Sequence, residues 1–157
     1  MRFFLEISYD GSKYHGWQYQ SNVISVQEII ENALGNLLGT KTPIVGSGRT
    51  DAGVHASCQI AHFDAKKIDN ENLKFKLNSF LPQEIAIRNI YPVTREAHAR
   101  FDAISRSYVY KMHLNKNPFK VGMSHYLRTP VSLSRVKEAC NVPVSYTHLT
   151  LPTNREV

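Results

Sequence analysis

Residues 24–39 constrain the fold most, because they hold the start, the stop and the whole apolar face of one helix. Ser25 and Glu28 stand three apart as a capping box, in which each side chain takes a backbone N–H the helix cannot satisfy itself. Ile24 and Ile29 flank that cap as a hydrophobic staple. Val26, Ile29, Ile30, Ala33, Leu34, Leu37 and Leu38 recur at helical spacing, and Gly39 stops the run. The stripe reads as core. Upstream, Phe3, Leu5, Ile7 and Tyr9 alternate with Phe4, Glu6 and Ser8, the period of a half-buried strand.

Between these two lies a polar, glycine-containing stretch, residues 10–24, expected to be an extended loop. Residues 43–48 predict a short strand, and Ser57 to Phe63 predicts another. A second helix is expected after Asp69, with Leu73, Leu77, Phe80 and Leu81 on one face and Pro82 at its end. Ile85 to Tyr91 reads as a fourth strand. This strand-helix-strand-strand-helix-strand order predicts an α+β, ferredoxin-like unit over residues 1–95. Residues 96–142 are expected to begin a second half, with a strand over 104–113 and a helix from Ser132 to Cys140. From Pro143 onward neither period is present, and one reverse translation of the stretch resembles a transposase adapter of sequencing libraries. Residues 143–157 are therefore expected to be a non-native tail.

Composition excludes several classes. With 42% apolar and 20% charged residues the chain has the balance of a folded protein. No run approaches the roughly 18 apolar residues of a membrane span, and Glu6 interrupts the N-terminal apolar run, so no secretory signal is expected. Cys58 and Cys140 stand too far apart in sequence for a metal-type pair. A cytoplasmic protein is expected. The charge is uneven: residues 1–94 hold nine Lys/Arg and nine Asp/Glu, whereas 95–137 hold nine basic and two acidic residues. Such an excess suits a polyanion, and equally a solvated face.

The chemistry concentrates in Ser47-Gly48-Arg49-Thr50-Asp51-Ala52-Gly53-Val54-His55-Ala56. A carboxylate in a glycine-flanked turn is a candidate nucleophile or base, with an arginine two residues before it to hold phosphate or enter a base stack. The same residues also fit an Asx turn with Arg49 as a surface ion-pair partner. As metal ligands, Asp51, His55 and His62 lack a tight spacing rule, and no metal is expected.

The segment resembles the signature of the TruA family of pseudouridine synthases, and other blocks follow in family order. Tyr9-Asp10-Gly11-Ser12-Lys13-Tyr14 with Gly16-Trp17-Gln18 resembles the first motif, and Ser25-Val26-Gln27-Glu28 the start of the first helix. Gln59-Ile60-Ala61-His62-Phe63, Asn78 with Leu81-Pro82, and Ala97-His98-Ala99-Arg100-Phe101 followed by Arg106, Tyr108 and Tyr110 complete the likeness over residues 2 to about 130. The resemblance implies a cofactor-free isomerisation of uridine in transfer RNA, at positions 38, 39 and 40 of the anticodon stem-loop. Asp51 would be the essential carboxylate, attacking the sugar or the base or acting as a base. Tyr108 would be the tyrosine that packs on uracil. Arg49 would help turn the target nucleotide out of its stack, which a buried base requires. Lys13, Tyr14, Trp17, His55 and Arg106 would meet RNA.

Family members continue through a second half that supplies an arginine partner for the carboxylate, and nothing after Asn141 resembles it. A truncated, inactive form is expected, and the family's homodimer would lose part of its interface. The competing reading is a non-catalytic RNA-binding module on the same sheet, although the aromatic signature of RRM-type sheets does not recur. A metal-dependent phosphodiesterase stands third.

Overall fold

The computed structural model describes residues 1–140, so the expected tail, 143–157, lies outside the described residues. Two compact units divide the chain, Met1–Ser107 and the part from Tyr108 onward.

The first unit runs β1 (Arg2–Tyr9), α1 (Val26–Leu38), β2 (Val45–Gly46), β3 (Ala56–Asp64), α2 (Asn70–Phe80) and β4 (Ile85–Val93). The sheet order is β2-β3-β1-β4, and every neighbouring pair is antiparallel. The alternation read from the sequence puts Phe3, Leu5, Ile7 and Tyr9 of β1 into the core with Phe63 of β3 and Ile90 of β4. Against that face pack Ile30, Ala33 and Leu34 of α1 and Leu73 and Leu77 of α2. The unit is thus a two-layer α+β arrangement, in which each element buries one apolar face.

Local signals explain the helix ends. Ser25 Oγ accepts the Glu28 N–H at 3.3 Å, one half of the expected capping box, and Gly39 ends α1 in the left-handed region. Asp69 caps α2 by accepting the Asn72 N–H. Phe80, expected within the apolar stripe of α2, is instead exposed on its flank in the last turn. Two polar side chains of α1 fix the approach to β2: Glu31 accepts the Ile44 N–H at 2.9 Å, and Gln27 donates to the Ile44 carbonyl at 3.1 Å.

The second sheet face, which carries Phe4, His62 and Tyr91, is partly covered by residues 97–101. Arg2 donates to Ala97 O at 3.0 Å while its other donors fork onto Asp64, and the Ala99 N–H donates to His62 Nδ1 at 3.1 Å. These bonds tie residues 97–99 to β1 and β3, so the first unit runs past residue 95.

In the second unit, β5 (Met112–His113) pairs in parallel with β6 (His125–Tyr126), and α3 spans Leu133–Cys140. The strand expected over 104–113 is present only at Met112–His113. A strand needs a neighbour for its N–H and C=O groups, and Ile104–Tyr110 has no such ladder among the described residues, whereas the Lys111 carbonyl already accepts the His125 N–H at 2.8 Å. Among the described residues no helix is long and apolar enough to cross a membrane.

Candidate functional site

The loop between β2 and β3, residues 47–55, presents Asp51 on the surface, and its shape is fixed from several sides. At the start, the Ser47 N–H donates to Ile60 O at 2.7 Å, and Gln59, buried in β3, donates to Gly48 O at 2.8 Å. At the tip, the Val54 N–H donates to Asp51 O at 3.2 Å, with Gly53 at φ 78°, the value a type II turn asks of its third residue. The Thr50 hydroxyl meets the Tyr9 hydroxyl at 2.8 Å.

The other side of the loop is braced by residues 11–17, and this contact is backbone to backbone. The Trp17 N–H donates to Thr50 O at 3.1 Å, and the Gly53 N–H donates to Tyr14 O at 3.2 Å. Glycine is needed where these chains touch. A Cβ on Gly11 would lie 2.0 Å from Val54 O, and one on Gly16, at φ 88°, would lie 2.4 Å from Thr50 O.

His55 closes the loop onto the same motif. Its Nδ1 lies 3.2 Å from the Gly11 N and 2.9 Å from Asp10 Oδ1. With a lone pair at Nδ1 it accepts from Gly11; with a proton there it donates to Asp10. Ser12 donates from its hydroxyl and its N–H to the same carboxylate. Those two bonds, followed by the charge of His55, hold the Asp10 carboxyl below the ordinary range.

The residues singled out from the sequence divide by place. Asp51 and Arg49 are exposed on the loop, and among the described residues neither takes part in an ion pair. The Asx turn with an Arg49 partner is therefore not what the loop forms. Lys13 points outward and pairs with Glu84. Tyr14 and Trp17 depart from expectation: at 7% and 2% exposure their rings lie in the core, because residues 11–17 fold inward to brace the loop, and neither ring presents a face to a ligand. Burial also raises the Tyr14 phenol above its ordinary range and keeps it protonated. Arg106 donates to the carbonyls of Ser47 and Arg100. Tyr108 opens the second unit, outside any strand and 70% exposed.

His62 stands apart from Asp51. It lies on the sheet face that carries Phe4, at 5% exposure, edge-on to His98 with ring centres 4.6 Å apart. Burial, then the charges of Arg2 and His98, push its imidazole below 6.5, consistent with Nδ1 serving as an acceptor. Sequence reasoning missed the bracing role of Tyr9, Gln59 and Arg106. Tyr9 and Arg106 lay within quoted motifs, but their partners are about forty to sixty residues away in the chain.

Sequence comparisons place the chain among known proteins. The family described as tRNA pseudouridine synthase matches residues 7–102. The tRNA pseudouridine synthase A of Parabacteroides distasonis is 46% identical over 151 residues, which cover 95% of this chain and 60% of that protein. That of Bacteroides fragilis is 41% identical over 151 residues, with the same coverages. The tRNA pseudouridine synthase A 1 of Protochlamydia amoebophila is 43% identical over 139 residues, 86% of this chain and 54% of that protein. The chain thus spans about 60% of the length of the first two relatives.

Proposed function

Because the chain belongs to the tRNA pseudouridine synthase family, we propose that it carries the catalytic loop of an enzyme that isomerises uridine to pseudouridine in transfer RNA, with Asp51 as the reacting carboxylate. The observation that carries this reading is the braced loop itself. It offers one exposed carboxylate that no side chain of the described residues engages, on a backbone pinned at Ser47, Gly48, Thr50, Gly53 and His55. Pre-organisation of that kind suits a group that must meet a reacting atom without reordering. An RNA-binding module has no need of it.

The substrate is the anticodon stem-loop at positions 38, 39 and 40, in a cytoplasmic setting, and no cofactor is required. Arg49, two residues before Asp51 and exposed, is the group to enter the stack when the uridine turns out. Lys13 and His55 supply contacts to the RNA backbone, and Tyr108 packs on the uracil. The strand order and antiparallel pairing support a ferredoxin-like reading of residues 1–95.

The test is a tritium-release assay on uridine-labelled transfer RNA, run beside RNA binding for the chain and for Asp51→Ala. Binding should persist in both, and whatever release the chain gives should fall to background in Asp51→Ala. Release above background by Asp51→Ala would remove Asp51 from the chemistry.

A further inference from the structure

Arg106 places its charge against neutral backbone. Its Nε and Nη2 donate to Ser47 O at 2.8 and 2.5 Å, and Nη2 also donates to Arg100 O at 2.9 Å. No carboxylate pairs with it among the described residues. Gly48 leaves the room this needs, since a Cβ there would come within 3.2 Å of the guanidinium.

The acceptor is significant. Ser47 follows β2 directly, and its N–H still bonds to β3 at Ile60 O, whereas its carbonyl turns away from β3 towards Arg106. The segment that delivers Arg106 is anchored at its other end by Arg2 on Ala97 O and by His62 on the Ala99 N–H. Residues 97–106 therefore form a strap from the sheet to the base of the Asp51 loop. A planar fork of donors is what lets one side chain hold two carbonyls at once.

We propose that Arg106 is a positioning residue, which fixes the base of the Asp51 loop through Ser47 O and does not bind RNA phosphate. This rests on the reading of Asp51 as the reacting carboxylate, but its test does not. Amide hydrogen exchange is followed by peptide in the chain, Arg106→Gln and Arg106→Lys, together with the salt dependence of binding to an anticodon stem-loop RNA. Arg106→Gln should speed exchange over residues 47–54 by about tenfold, the scale of one lost charge-assisted hydrogen bond, and leave β1 and α1 as they were. Arg106→Lys should not restore protection, because an ammonium keeps the charge without the fork. The Arg106 Nε–H resonance should be protected in the free chain and remain so when RNA is added. The slope of binding against salt should be the same for all three proteins.

Unchanged loop exchange in Arg106→Gln would overturn the proposal whether or not RNA binds. So would a slope reduced by about one in Arg106→Gln and restored in Arg106→Lys, the behaviour of a phosphate contact. Asp51→Asn should alter neither readout, so failure of the catalytic reading would appear separately, in the release assay.

Discussion

Three glycine-to-alanine substitutions separate the strain at a glycine from the close approach that glycine allows. Gly39 has φ 69° and open space where a Cβ would go, so Gly39→Ala adds backbone strain alone. A left-handed residue costs about 1–2 kcal/mol, offset by about 0.4–1 kcal/mol from the stiffer unfolded chain, for a net loss of about 1 kcal/mol. Gly11 has no positive φ, but its Cβ would stand 2.0 Å from Val54 O and 2.6 Å from Val54 C. Backbone cannot turn aside as a side chain can, so Gly11→Ala should cost about 1–3 kcal/mol, the range for overpacking. Gly16 combines φ 88° with a Cβ 2.4 Å from Thr50 O, and Gly16→Ala should cost about 2–5 kcal/mol. Urea unfolding followed by the fluorescence of Trp17, the single tryptophan and a core residue, reads all three. At about 4 °C per kcal/mol for a unit near 100 residues, the Tm losses are about 4 °C for Gly39→Ala and about 8–20 °C for Gly16→Ala. If Gly11→Ala and Gly16→Ala were no worse than Gly39→Ala, residues 11–17 would not be packed on the Asp51 loop, and the bracing account would be wrong.

Asn78 of α2 donates to Ile87 O at 2.9 Å and accepts the Ile87 N–H at 2.8 Å, so it satisfies the outward backbone of edge strand β4. Asn78→Ala should cost about 1–3 kcal/mol in urea, and a loss below about 0.5 kcal/mol would contradict this. His62 gives a pH dependence. Its folded pKa is lowered, so above about 6.5 it is neutral in both states and its contribution is fully present. As pH falls below that value the unfolded chain takes up a proton the folded site resists, and stability declines towards the folded pKa. His62→Asn, whose Oδ1 takes the place of Nδ1 and can still accept the Ala99 N–H, should lose less stability than the parent chain between about pH 7.5 and about pH 5.5; equal losses would sink the idea. Asp51 has no side-chain partner among the described residues, so Asp51→Ala should stay within about 0.5 kcal/mol of the parent chain in the same urea assay. A larger loss would mean the carboxylate supports the fold.

The features legible in sequence were those whose causes are local. Ser25 and Gly39 mark the ends of α1 because caps act within one turn, and the alternation of β1 puts Phe3, Leu5 and Ile7 on one face because strand side chains repeat every two residues. The Asp51 segment could be picked out because its glycines, arginine and carboxylate are contiguous. Local pattern failed at Ile104–Tyr110, where apolar residues promised a strand and no neighbouring strand pairs with it among the described residues.

What only the tertiary structure decided was partnership across the chain. The motif at residues 9–17 looked like a set of RNA contacts, and packing turned Tyr14 and Trp17 inward to brace a loop about forty residues away. The resemblance gave Arg106 as a contact to RNA, and its donors close on a carbonyl 59 positions earlier. The sheet order β2-β3-β1-β4 belongs to the same class. Composition and period state what a residue can do; which group satisfies it depends on loop closures whose outcome no short window contains.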